Sequence, residues 1–122
     1  MNTYDIAGMV EHYYKTAGIT PEPEVAAKLV DEEYEEWLAE VNPYTGPKTY
    51  KPEAELEELA DLVFVIYGYA QSRKWNLNEA VYRKFLTNIA RMFQDDGTLK
   101  RNEQGKILKN PSTPKCDLSD LV

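Results

Sequence analysis

Histidine and cysteine are almost missing from this chain: among 122 residues there is one of each, His12 and Cys116. A zinc centre built from Cys and His needs several such ligands, and an internal disulfide needs two cysteines, so both are excluded. Nucleophilic catalysis of the Ser-His or Cys-His kind would have to use His12, and no serine or cysteine stands near it in sequence, although such partners meet in space. No window approaches 18 uncharged apolar residues, and no signal-peptide pattern opens the chain. With a single free cysteine, the expectation is a cytoplasmic protein without a membrane anchor. Internal repeats and low-complexity tracts are also lacking. What remains for chemistry is carboxylate.

The chain carries 21 acidic and 14 basic residues, a formal charge of -7. Residues 1–65 hold 15 carboxylates against 4 lysines, a balance of -11, and residues 66–122 hold 6 against 10 Lys and Arg, a balance of +4. A net-acidic protein is repelled by phosphate backbones unless a basic face is segregated, which argues against nucleic-acid binding. The length suits one domain, with a helical core over about 4–94 and a C-terminal arm over about 95–122.

Four helices are expected. The first covers about 4–17, where Ile6, Met9, Val10, Tyr13 and Ala17 recur at helical spacing before Gly18. Thr20-Pro21-Glu22 is read as the start of the second, which runs to Val41 and stops at Asn42-Pro43. After a Gly/Pro-rich loop, Asn42–Pro52, the third runs from about Glu53 to Arg73. The fourth runs from Leu77 to about Phe93, with Asn76 and Glu79 at capping-box spacing, and ends before Asp95-Asp96-Gly97. Beyond it, a hairpin-like excursion around Asn102–Gly105 leads to an irregular tail with Pro111 and Pro114. The fold class is all-α, a four-helix bundle with an arm.

The third helix is unusual. Leu59-Ala60-Asp61-Leu62-Val63-Phe64-Val65-Ile66-Tyr67 is apolar on every face except at Asp61, and a helix without a polar face must be covered all round. Either a homo-oligomer, most simply a C₂ dimer, covers it, or the first helix and the arm do.

Carboxylates recur at one-turn spacing on two consecutive helices. The second helix has Asp31-Glu32-Glu33-Tyr34-Glu35-Glu36 and the third has Glu58-Leu59-Ala60-Asp61. Glu33 and Glu36 point to one spot, as do Glu58 and Asp61, and antiparallel packing would let all four converge. Without a cation they would repel. A hard divalent ion such as Mg²⁺, held by oxygen ligands plus substrate phosphates, makes sense of them. The competing reading is a solvated glutamate face, with Asp61 paired to an arginine such as Arg91. Glu53, Glu55 and Glu57 are read as solvated. Glu-x-x-His motifs of di-iron bundles are absent, which disfavours iron redox chemistry.

The basic half offers Lys100, Arg101, Lys106, Lys109 and Lys115 on a mobile arm, with Arg91 on the preceding helix. These suit a polyphosphate, or else form a solubilising tail. Asn88, one turn before Arg91, suits a base or sugar, or faces water. His12 is read as packed or surface, Tyr13, Tyr14, Tyr67 and Tyr69 as core or interface, and Trp37 as core or the wall of a base pocket. Nothing marks Cys116 as reactive.

Together these residues resemble the MazG-like, all-α nucleoside triphosphate pyrophosphohydrolase superfamily, which includes dimeric dUTPases and phosphoribosyl-ATP pyrophosphohydrolases. Its Glu-Glu-x-x-Glu and Glu-x-x-Asp signatures are matched by Glu32-Glu33-Tyr34-Glu35-Glu36 and Glu58-Leu59-Ala60-Asp61. The resemblance implies Mg²⁺ ligation by Glu33, Glu36, Glu58 and Asp61, with Mn²⁺ a possible substitute, and places Glu32 where some members orient or activate water. Asn88-Ile89-Ala90-Arg91-Met92 resembles a Ser-Asn-x-x-Lys stretch, with Thr87 in place of serine and Arg91 in place of lysine. Gly105-Lys106-Ile107-Leu108-Lys109 before Pro111 and Pro114 resembles a Gly-Lys-Val-x-Lys-x-Pro tail. Asn88, Arg91, Lys106 and Lys109 are then expected to contact the nucleotide.

The expected function is Mg²⁺-dependent hydrolysis of a (deoxy)nucleoside triphosphate to monophosphate and pyrophosphate by a dimer or tetramer. Glu32 or Glu35 would position the water. The alternatives are the phosphoribosyl-ATP reaction and a non-enzymatic acidic interaction protein.

Overall fold

Asp5 opens the first helix, α1 (Ile6–Ala17), its Oδ1 accepting from the Gly8 N–H at 2.9 Å. Gly18 closes it in the left-handed conformation, φ 67°, which glycine adopts without steric cost. The computed structural model describes residues 4–41 and 49–122. Among these the chain is all-helical, with α2 (Pro23–Val41), α3 (Pro52–Ser72), α4 (Leu77–Arg91) and a short 3₁₀ turn, Ser119–Leu121. None of the described helices is long and apolar enough to cross a membrane.

The second helix starts later than its sequence suggests. Pro23, not Pro21, takes the first helical position, and the Glu22 carbonyl accepts the first intrahelical bond, from Ala26 at 2.8 Å. Thr20 therefore precedes the helix without capping it. The Asn42-Pro43 stop and the body of the following loop, 42–48, lie outside the described residues.

The chain divides into two compact units, residues 1–75 and 76–122. This division falls well before the expected core boundary near 94, because α4 groups with the arm. In the first unit α2 packs along α3, and α1 lies against α3. The α2–α3 pairing is antiparallel: Trp37, late in α2, donates its indole N–H to Glu55 Oε2, early in α3, at 3.1 Å. Glu55 also accepts from the Tyr50 hydroxyl at 2.5 Å. It is thus a latch between helices and not the solvated residue its neighbours suggest.

The α1–α3 contact uses Gln71, whose side-chain amide donates to the Ala7 carbonyl at 2.8 Å, and Tyr13, edge-on to Phe64 at 5.2 Å between ring centroids. Gly68 makes room for Tyr14: a Cβ there would stand 2.6 Å from the Tyr14 hydroxyl. Among the described residues of this unit, Val10, Ala26 and Ala70 are the buried hydrophobics. Leu56, Leu59, Val63 and Ile66 of α3 stay exposed, a stripe at i, i+3, i+7 and i+10 that α1 and α2 leave uncovered.

In the second unit Asn76 caps α4, accepting from the Glu79 N–H at 3.1 Å, as the capping-box spacing anticipates. The expected hairpin around Asn102–Gly105 is closed by the antiparallel bridge Arg101–Ile107, with Gly105 (φ 81°) at its turn, and the Asp95-Asp96-Gly97 turn before it is closed by the bridge Phe93–Leu99, with Gly97 at φ 82°. The arm is fastened, contrary to the mobile segment its composition suggests. The Asn110 N–H donates to the Arg91 carbonyl at 2.8 Å, and the Asn110 side chain bridges the Phe93 carbonyl and Asp95. Arg83 grips Asp120 through its two terminal guanidinium nitrogens, at 2.5 and 2.9 Å, and reaches the Asp117 carbonyl at 3.1 Å. Composition could not disclose this, because each bond joins residues distant in sequence.

Candidate metal centre

Glu33 and Glu36 sit three residues apart on α2, about 300° of helical rotation, so both carboxylates leave the same face. Antiparallel packing sets that face against Glu58 of α3. Carboxylate oxygens of Glu33, Glu36 and Glu58 lie within 4.8 Å of one another. Glu33 and Glu58 are half-buried, and each keeps one Oε2 shielded from solvent with no hydrogen-bond partner. Such an oxygen has lost its water and gained nothing, which is costly unless a proton or a cation takes its place.

The electrostatics agree. Desolvation pushes the Glu33 carboxyl up to about 7, helped by hydrogen bonding to Glu36 and by the charges of Glu36, Asp61 and Glu58. Glu58 is raised by the same means: desolvation first, then Glu36, Asp61 and Glu57. Asp61 is exposed, and so is not the buried core carboxylate its apolar surroundings suggest. It stands outside the three that converge, yet its charge is felt by both Glu33 and Glu58. The ion pairs among the described residues of the first unit leave all four carboxylates without a cation. The donors are hard oxygens, three of them close together and two with orphaned atoms. That set fits a hard divalent cation better than a soft one.

Glu32 and Glu35 are both exposed and outside the cluster. Helical rotation of about 100° per residue separates them: from the midpoint of Glu33 and Glu36, Glu32 lies about 70° away and Glu35 about 130°. Only Glu32 flanks the cluster face.

In the second unit Asn88, Arg91, Lys106 and Lys109 line one cavity of about 440 Å³, together with Arg101, Met92 and Ile107. All four residues singled out from sequence are therefore neighbours. Arg101 joins them through the Arg101–Ile107 bridge, which sets it across the hairpin from Ile107, beside Lys106. Its place in the Lys/Arg-rich stretch was visible in sequence, but its facing was not. No acidic residue lines the cavity, and none of the ion pairs among the described residues uses these cations. A cavity with four cationic side chains and an amide is suited to an anion of several charges.

The remaining candidates are ordinary. His12 is exposed and within 3.4 Å of the Thr16 hydroxyl. Tyr69 packs against Trp75, with Arg73 over both rings. Cys116 is a half-buried free thiol. No family model matches the chain, and no curated protein matches it.

Proposed function

We propose that this chain is a MazG-like enzyme that hydrolyses a nucleoside triphosphate to monophosphate and pyrophosphate in a Mg²⁺-dependent reaction. The observation that carries this reading is the convergence of Glu33, Glu36 and Glu58, with two shielded oxygens lacking partners. Glu33, Glu36 and Glu58 would hold the cation, with Asp61 at the edge of the set. A divalent cation there would neutralise charge on the phosphoryl oxygens and make the phosphorus more electrophilic. Glu32, flanking the cluster, orients the attacking water and accepts its proton. Glu35, farther round the helix from the cluster face, is the second candidate for that role. Within the second unit, the cavity of Asn88, Arg91, Arg101, Lys106 and Lys109 has the charge to bind a phosphate-bearing anion.

The working form is a homo-oligomer. The uncovered stripe of α3, and Val81, Phe85 and Ile89 exposed at four-residue spacing on α4, support this.

The test is pyrophosphate release across ribo- and deoxynucleoside triphosphates and phosphoribosyl-ATP, with Mg²⁺ and with Mn²⁺. Release from at least one nucleoside triphosphate, lost in Glu36→Gln and in Asp61→Asn, is expected. Release from phosphoribosyl-ATP alone would reassign the substrate. No release from any compound, or full activity in both variants, would overturn the proposal.

A further inference from the structure

A cleft of about 330 Å³ opens between the C-terminal ends of α1 and α3, wholly within the first unit. Tyr14 and Lys15 of α1, Thr20 and Pro21 of the connection to α2, and Lys74 and Trp75 just beyond α3 form its walls. Gln71, which also lines it, lies ten residues beyond Asp61 on α3, about 15 Å along the helix. The cleft is therefore remote from the carboxylate cluster, and it shares no residue with the cationic cavity of the second unit.

Two of its residues are held in an unusual way. Lys74 has φ 61°, in the left-handed region, and is the one described residue other than glycine with positive φ. It occupies the position after a helix that glycine ordinarily fills, where a Cβ is crowded by its own backbone. Backbone bonds fix this turn: the Lys74 N–H donates to the Gln71 carbonyl and the Trp75 N–H to the Ala70 carbonyl, both at 2.9 Å. Strain kept at such a position points to a use for the side chain. Among the described residues, no carboxylate pairs with Lys74. Trp75 stays 40% exposed, yet its indole is pinned. Tyr69 meets it edge to face at 6.1 Å and 76°, and the Arg73 guanidinium lies over the ring at 5.8 Å. An exposed ring that is already held in place loses little freedom when a planar ligand covers it.

The charges select the ligand. Glu11 and Lys15, both lining the cleft, pair at 2.7 Å and cancel, so the Lys74 ammonium is its uncompensated charge. One uncompensated cation suits a monoanion, whereas a polyphosphate would also meet repulsion from Glu11. We propose that this cleft binds a small aromatic carboxylate, its ring against the Trp75 indole and its carboxylate at the Lys74 ammonium and the Thr20 hydroxyl. The volume lies at the lower end of small-molecule sites, which limits the ligand to one or two rings. This site is separate from the proposed hydrolytic centre and does not depend on it.

The test uses NMR of the full chain labelled with ¹⁵N, whose two tryptophans give two indole N–H signals. Trp75→Phe identifies which signal belongs to Trp75. Indole-3-acetate should shift that signal saturably and leave the Trp37 signal in place. A ligand of about a dozen non-hydrogen atoms at ordinary efficiency gives a Kd on the order of 1 mM. Uncharged indole-3-acetamide should bind roughly fivefold more weakly, the value of one exposed ion pair. Lys74→Arg should keep the affinity of the native chain. Lys74→Gly should weaken binding about fivefold while raising Tm, because glycine relieves the left-handed strain. Weaker binding in a more stable chain is not the result of a damaged fold. Absence of a saturable shift, equal affinity for the acetamide, or native affinity in Lys74→Gly overturns the site. A Lys74→Gly chain less stable than the native one does so too, since the lysine then serves the fold. A larger response to pyrophosphate than to indole-3-acetate also overturns it, because the cleft would then select charge and not the ring.

Discussion

Glu33 couples the candidate centre to pH. Its carboxyl is raised from the ordinary 4.5 to about 7, first by desolvation and then by Glu36 and the neighbouring charges, and Glu58 is raised with it. A raised carboxyl makes the folded chain bind more protons than the unfolded one between these values. The stability this group contributes is therefore fully present below about pH 4.5 and is lost as pH rises through about 7. Asp96, Asp117 and Asp120 are lowered, and their opposite contribution is already complete above the ordinary value of 3.8. In EDTA, Tm is thus expected to fall between pH 5 and pH 8, by less in Glu33→Gln. Mg²⁺ at pH 8 should raise Tm of the native chain, because a ligand of the folded state alone stabilises it. A pH-independent Tm in EDTA, checked by differential scanning calorimetry, would remove the shared strain as its basis. Glu55 shows the limit of reading single residues. Its sequence neighbourhood is a glutamate-rich first turn, and only the approach of Trp37 and Tyr50 reveals that it holds α2 to α3.

At the scale of elements, helices and caps follow from local rules, and the packing does not. Gly18 and Asn76 cap where the sequence places them, since a cap involves residues only three or four apart, and Asp5 caps α1 by the same local geometry. Thr20 was a plausible cap by the same rules, but the chain keeps Pro21 and Glu22 outside the helix. Gly68 is a case where packing reverses propensity. Glycine to alanine within a helix gains about 1 kcal/mol from propensity. Here the new Cβ would meet Tyr14 at 2.6 Å from the hydroxyl and 3.2 Å from the ring. Overpacking typically costs about 1–3 kcal/mol, so Gly68→Ala should lower stability by about 1 kcal/mol net. Urea denaturation checks this, and combining it with Tyr14→Ala should restore the gain expected from propensity. A Gly68→Ala chain more stable than the native one would show that Tyr14 yields freely.

For the whole molecule, the apolar surface left over is the decisive quantity. In the first unit Leu56, Leu59, Val63 and Ile66 remain exposed, and α4 buries none of its residues. Sedimentation equilibrium at micromolar concentration is expected to give at least twice the chain mass of 14.0 kDa. Val63→Glu or Ile66→Glu should shift the mass toward that of one chain, since a charge on an apolar interface is costly. A native chain sedimenting at 14.0 kDa would end the oligomer reading. The uniformly apolar third helix could be recognised in sequence, because periodicity reports how many faces are apolar. Which face α1 covers and which it leaves depends on tertiary contacts. The sequence by itself determined four helices, the caps at Gly18 and Asn76, the carboxylate pairs and the basic hairpin, all governed by interactions within one or two turns. Only the tertiary structure decided that Glu33, Glu36 and Glu58 converge while Asp61 stays at the edge, and that Arg101 faces the same cavity as Asn88 and Arg91. The first depends on the crossing of two helices and the second on how the hairpin folds back on α4, which no local pattern encodes.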